Sequence, residues 1–395
     1  MRYDSSMTDV PMTDLLRTRP VATPAVLTVF ADHSTIAHAL AFESALALAQ
    51  ADTGVISSDI AQAIVEACAS IVIDPAELAD EAALAGTLAI PLVARLRVAV
   101  GGEAAGVVHK GATSQDVADT VLMLQARAAA NLVLADLARA TAALAGLAAQ
   151  YAETPAIGRT LLQDALPVAF GLRIAHWMVG IDEAATRLHR DVDDHARIQL
   201  GGAAGSRGGL VNRGEAVAAH MAHALGLRAG APWHARRTGI AAIGTSLAIA
   251  VGALGKMARD ISLLSQNAVG EAREPEVAGR GGSSAMAHKR NPTGCQVALS
   301  AAIRAPGLAA SLLGGMAQEQ ERGLGGWQAE GPVLADLFLL AAGSAAAMAD
   351  IAEGLEIDEQ AIARNLAIAG LGTDIGDSAA IVRALIASHP CPSEG

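Results

Sequence analysis

From Thr113 to Tyr151 the chain carries no proline and a single glycine, Gly146. Apolar residues recur at Val117, Val121, Leu124, Ala128, Leu132 and Leu137, close to heptad spacing, the mark of one helix face rather than of an alternating strand. Thr113 followed by Asp116 reads as a capping box at the start, and the next proline is Pro155. A helix of about 37 residues rises about 55 Å. A chain built around such an element folds as a bundle of long helices. The spacing predicts further helices near 34–52, 58–73, 75–100, 167–200, 213–226, 237–271, 294–320 and 332–354, with a short helical tail over 358–388. Residues 1–24, with Pro11, Pro20 and Pro24, read as irregular, and strand periodicity is scarcely seen.

Composition supports an all-α fold. Hydrophobic residues make up 52 % of the chain but aromatics only 2 %. The apolar mass is therefore small and aliphatic, which lets helices approach closely. A mean hydropathy of +0.37 is high for an isolated subunit, so an oligomer interface is expected to hide apolar surface. The uncharged run from 238 to 255 approaches the length of a membrane span, but its glycines, threonines and serine suit a helix buried inside a bundle better. No basic segment followed by an apolar one opens the chain, so no secretion signal and no membrane association are expected, and the location expected is the cytoplasm. The net charge of −12, without a Lys/Arg cluster, argues against nucleic acid as a partner. Cys68, Cys295 and Cys391 are scattered and show no metal-ligand spacing, so reduced thiols and no metal site are expected.

Three segments break the helical pattern and are rich in glycine or polar residues: 109–116, 158–167 and 271–292. The last contains Gly279, Gly281, Gly282, Ser283 and Ser284, followed by Lys289, Arg290 and Asn291. A glycine-rich backbone beside clustered donors suits a lid that closes on an anionic substrate.

The run Gly282-Ser283-Ser284-Ala285-Met286-Ala287-His288-Lys289-Arg290-Asn291-Pro292 closely resembles the loop signature of the fumarase/aspartase superfamily. Gly111-Ala112-Thr113-Ser114-Gln115-Asp116-Val117 with Asp119-Thr120 resembles its adenylosuccinate lyase and cycloisomerase branch. Gly158-Arg159-Thr160-Leu161-Leu162-Gln163 with Ala165-Leu166-Pro167 is similar to the 3-carboxy-cis,cis-muconate cycloisomerases. So are Glu319-Gln320-Glu321-Arg322, the run Gly326-Trp327-Gln328-Ala329-Glu330, and Ala41-Phe42-Glu43-Ser44-Ala45-Leu46. The likeness spans roughly residues 20–370. It implies a three-domain helical fold, here placed at 1–110, 111–355 and 356–395. It further implies a homotetramer whose active sites each draw segments from three subunits.

The resemblance also implies a chemistry. Removing or adding a proton beside a carboxylate passes through an enolate-like dianion, which needs donors placed in advance. Ser283 matches the loop serine that serves as base in superfamily lyases, with Lys289 and glycine N–H groups to stabilise its anion. His109 matches a histidine of the adenylosuccinate lyase site and is the third catalytic candidate. Thr113, Ser114, Arg159, Thr160, Gln163, Ser284, Met286, Arg290, Asn291 and Arg322 are the candidates for binding a small polycarboxylate, the arginines by bidentate contact. No metal or redox cofactor is required.

Leu161 occupies the position of the second histidine of adenylosuccinate lyases, which sets this chain apart from them. Asp164, Ala287, Gln320 and Gly331 also depart from the family pattern, and an unpaired acid at Asp164 would repel a polyanion. The activity implied is lactonisation of 3-carboxy-cis,cis-muconate to 4-carboxymuconolactone, a step of aromatic catabolism in the β-ketoadipate pathway. The alternative is β-elimination from a succinyl-type substrate with release of fumarate.

Overall fold

The structure is a computed structural model, and it describes residues 15–210, 212–282, 286 and 289–389. The first helices are α1 (Leu15–Thr18), α2 (Pro24–Val29), α3 (Asp32–Asp52), α4 (Ser58–Ser70), α5 (Pro75–Ala85), α6 (Ala89–Val100) and α7 (Gly102–Ala105). The long helix follows as α8 (Ser114–Gln150). A hairpin of β1 (Pro155–Thr160) and β2 (Gln163–Ala169) then leads into α9 (Phe170–His195). Next come α10 (Gly214–Leu225), α11 (Thr238–Leu264), the short strand β3 (Ala272–Arg273), α12 (Thr293–Gly314) and α13 (Gly326–Gly354). The chain ends on β4 (Glu356–Ile357), paired with β3, and on α14 (Glu359–Ile368) and α15 (Ser378–Ser388).

Five helices form the bundle. Helix α8 packs on α9 and α13, α11 packs on α9, α12 and α13, and α12 packs on α13. Their shared core is aliphatic and alanine-rich, from Met123, Ala126 and Val133 on α8 to Leu254 and Met257 on α11 and Leu337 and Met348 on α13. The closeness depends on small residues: a Cβ at Gly255 would stand 2.7 Å from that of Ala302 on the neighbouring helix. Helices α8, α11, α12 and α13 are each long and apolar enough to cross a membrane by length and composition. Here part of each one's apolar surface lines the shared core. A separate core joins α3, α5 and α6 to the first turns of α8 and to α10, through Phe42, Leu46, Leu78, Leu92, Val117 and Met221.

Residues 15–18, read as irregular, form the short helix α1, and two further expectations are corrected. The stretch 75–100 is two helices, because Gly86 ends the first in a left-handed conformation with φ 73°. The helix expected over 167–200 starts at Phe170 and ends at His195, and the residues before it belong to a β-hairpin. That hairpin turns at Leu161 and Leu162, with φ of 50° and 65°. Both central residues are left-handed, as in the tight hairpin turns that usually carry Asn-Gly. A Leu-Leu turn gives no such signal in sequence.

Candidate active site

The N-terminal end of α8 gathers one set of candidates. Asp116 sits in the first turn and is fully buried. Its carboxylate accepts hydrogen bonds from the backbone N–H groups of Thr113 at 3.0 Å, Gly201 at 2.8 Å and Gly202 at 2.9 Å, and lies 2.7 Å from His234 Nε2. The helix cap thus also anchors the glycine-rich stretch 201–209. That stretch runs so close to residue 111 that a Cβ at Gly111 would meet the Leu210 side chain at 2.4 Å, and Gly111 itself is left-handed with φ 77°. Beside this frame, Arg322 donates from Nη1 to Thr113 Oγ1 at 2.8 Å. His109 Nδ1 lies 2.6 Å from Glu43 Oε1 on α3. His109, Thr113, Ser114 and Arg322, from segments more than 200 residues apart for Thr113 and Arg322, therefore share one end of the bundle.

Behind them, Arg237 joins two acids in the interior. It donates to both oxygens of Asp119, at 2.9 and 2.7 Å, and to both of Glu330, and its guanidinium lies over the Trp233 ring. Burial pushes the Glu330 carboxyl above its ordinary range, against the pull of Arg237. Two family-like motifs, Asp119-Thr120 and the run ending at Glu330, thus tie α8 to α13 through this pair.

The opposite end of the bundle holds the other candidates. Arg159 on β1 donates to Glu271 Oε2 at 3.0 Å and Oε1 at 2.7 Å, and its Nε lies 3.4 Å from Asp164 Oδ1 across the hairpin. Asp164 is thus a paired acid. Asn365 on α14 also donates to Glu271, at 2.9 Å, and Arg173 lies 3.7 Å from it. Burial works against the charged form of Glu271, yet the hydrogen bonds from Arg159 and Asn365 hold its carboxyl below the ordinary range. Thr160 and Gln163 face one another at the hairpin turn, exposed beside Leu161 and Leu162. A cleft of about 590 Å³ opens beneath, lined by Arg159, Leu162, Arg173, His176 and Lys256.

The loop before α12 lies at this same end. Arg290 makes a two-pronged pair with Glu356 at 2.9 Å for each bond and donates to the Glu274 carbonyl at 2.7 Å. Asn291 donates from its backbone N–H to the Gly281 carbonyl at 2.8 Å and from Nδ2 to the Gly282 carbonyl at 3.3 Å, closing the loop at its neck. Lys289 and Met286 are exposed. Ser283, Ser284 and Ala287 lie outside the described residues.

The candidate residues therefore fall into two groups. His109, Thr113, Ser114 and Arg322 stand at the start of α8; Arg159, Thr160, Gln163, Lys289, Arg290 and Asn291 stand at its far end, a helix length of about 55 Å away. Glu43 was not singled out from sequence as a site residue, although its motif was; only its long-range contact with His109 marks it.

The chain matches the lyase family over residues 18–307. It is 46 % identical over 339 residues to 3-carboxy-cis,cis-muconate cycloisomerase of Bradyrhizobium diazoefficiens, covering 85 % of this chain and 75 % of that one. It is 41 % identical over 340 residues to nitrosuccinate lyase of Streptomyces davaonensis, covering 83 % and 72 %. The crystal structure of 3-carboxy-cis,cis-muconate lactonizing enzyme from Pseudomonas putida superposes with a TM-score of 0.85 at 38 % identity, over 94 % of this chain and 87 % of that one.

Proposed function

Because the chain belongs to the lyase family of the fumarase/aspartase superfamily, we propose that it lactonises 3-carboxy-cis,cis-muconate to 4-carboxymuconolactone. The observation that carries this reading is the 46 % identity to a cycloisomerase of that name over most of both chains. In the reaction a substrate carboxylate oxygen adds to one carbon of a double bond. The displaced π electrons collect on the carbon beside another carboxylate, and that carbon takes a proton. The enzyme's task is to bind the polyanion, stabilise the enolate-like dianion and move one proton.

Ser283 exchanges that proton, with Lys289 and loop N–H groups supporting its anion. Asn291 and Lys289 hold the carboxylate beside the reacting carbon. His109, Thr113, Ser114 and Arg322 line the opposite wall, and Arg159, Thr160, Gln163, Ser284, Met286 and Arg290 complete the pocket. Since the two groups stand at opposite ends of one chain, the reading requires an oligomer, a cytoplasmic homotetramer in which three subunits complete each site. Exposed apolar residues such as Ile249 on α11 and Ile303 and Leu313 on α12 support a subunit interface along the bundle.

A second reading is favoured by one observation, the 41 % identity to a nitrosuccinate lyase. In it, the same serine removes the proton and a leaving group departs from a succinyl-type substrate to release fumarate. A direct absorbance assay with 3-carboxy-cis,cis-muconate, run beside fumarate detection on nitrosuccinate, separates the two. Lactone formation without fumarate is expected. Fumarate release with no consumption of the muconate overturns the first reading.

A further inference from the structure

His109 adopts a left-handed backbone with φ 66°, a costly conformation for a residue with a side chain. The carbonyls on either side of it are held: Arg97 of α6 donates to Val108 O at 3.2 Å, and Gln50 of α3 donates to Lys110 O at 2.6 Å. The imidazole consequently meets α3, where its Nδ1 lies 2.6 Å from Oε1 of Glu43. The Glu43 side chain is only 1 % exposed, and its Oε2 has no hydrogen-bond partner among the described residues. Around it, Phe42, Ala45, Leu46 and Ala47 are core residues. Cys68 of α4 faces it, with a thiol pushed up to about 11 by burial and by the Glu43 charge. A buried acid with an orphaned oxygen is costly, and packing of α3 alone does not call for one.

We propose that Glu43 is a positioning residue for the reaction: its buried carboxylate fixes His109 with the proton on Nδ1, leaving the Nε2 lone pair to take a proton from solvent and return it to the site, replacing the one that the lactone carries away. A carboxylate only accepts hydrogen bonds, so a bond to it requires N–H at Nδ1 and leaves the Nε2 lone pair free. This rests on the reading that places His109 in the active site.

The test combines kinetics with the ¹⁵N signals of the imidazole in the assembled enzyme, the His109 signals being identified by their loss in His109→Asn. In Glu43→Gln the amide N–H competes as a donor to Nδ1 and moves the proton to Nε2. The expected results are a kcat lowered about a hundredfold with KM little changed, a proton shifted from Nδ1 to Nε2, and partial recovery of kcat in Glu43→Asp. A wild-type kcat in Glu43→Gln, a rise in KM alone, or a proton on Nε2 in the wild-type enzyme overturns the proposal. If Glu43→Gln does not assemble, the wild-type spectrum and the Glu43→Asp kinetics decide it. A wild-type enzyme inactive on 3-carboxy-cis,cis-muconate sinks the functional reading instead, and the kinetics then move to nitrosuccinate while the spectrum still tests the pair.

Discussion

Arg237 and Asp119 face one another inside the bundle, joined by two hydrogen bonds of 2.9 and 2.7 Å and both nearly inaccessible to water. With Glu330 on the other side of the guanidinium, the three groups lock α8 to α13 through the residue just before α11. Removing one partner of such a pair leaves a charge buried with less compensation. Asp119→Ala is expected to destabilise the protein by about 3–5 kcal/mol. Equilibrium urea denaturation measures this, and a loss below about 1 kcal/mol would show that the interior relaxes around Arg237 instead.

The hairpin end answers to pH. Glu271 has its carboxyl held below the ordinary value of 4.5 in the folded state, despite burial, by Arg159 and Asn365. A carboxyl depressed by folding contributes stability that is fully present above its unfolded pKa and is lost as pH falls through the folded one. Thermal midpoints measured from pH 7 downward should therefore show Glu271→Gln less stable than wild type near neutrality. The gap should narrow only below about pH 4.5. A constant gap across the whole range would mean that Glu271 is not the titrating group.

Gly281 controls the neck of the loop. Its φ is 72°, and a Cβ there would stand 2.5 Å from the Asn291 carbonyl oxygen. Gly281→Ala should force these strands of the loop apart and break the Asn291–Gly281 bond, with little effect on the distant bundle core. Turnover is expected to fall up to about a hundredfold, the effect of misplacing a reacting group by an ångström, while the thermal midpoint moves by only a few degrees. Unaltered turnover would mean that the neck does not position the loop.

Ser283→Ala is the direct probe of the proposed proton transfer. Loss of the hydroxyl should abolish turnover while the oligomer, measured by sedimentation, stays intact. Mixing this variant with His109→Asn under conditions that exchange subunits should restore part of the activity. Sites assembled from different chains would regain both groups, and an absence of complementation would count against shared sites.

The helices were legible because burial and capping act over a few residues. Apolar spacing from Val117 to Leu137 and the Thr113–Asp116 cap announced α8, and the crowding of glycine before Lys289 announced the loop. The Leu161–Leu162 turn was not legible, because its left-handed residues are imposed by the pairing of β1 with β2 rather than by their own preference.

Sequence by itself determined the long helices, the all-α class and the residue types offered for chemistry, because each of these is set by neighbours along the chain. Tertiary structure alone decided who meets whom: Glu43 with His109, Arg159 with Glu271, Arg322 with Thr113. Those pairs join residues 66, 112 and 209 positions apart. Whether charges so far apart in sequence neutralise, orient or strain one another depends on how long helices return across the bundle, and no local pattern encodes that.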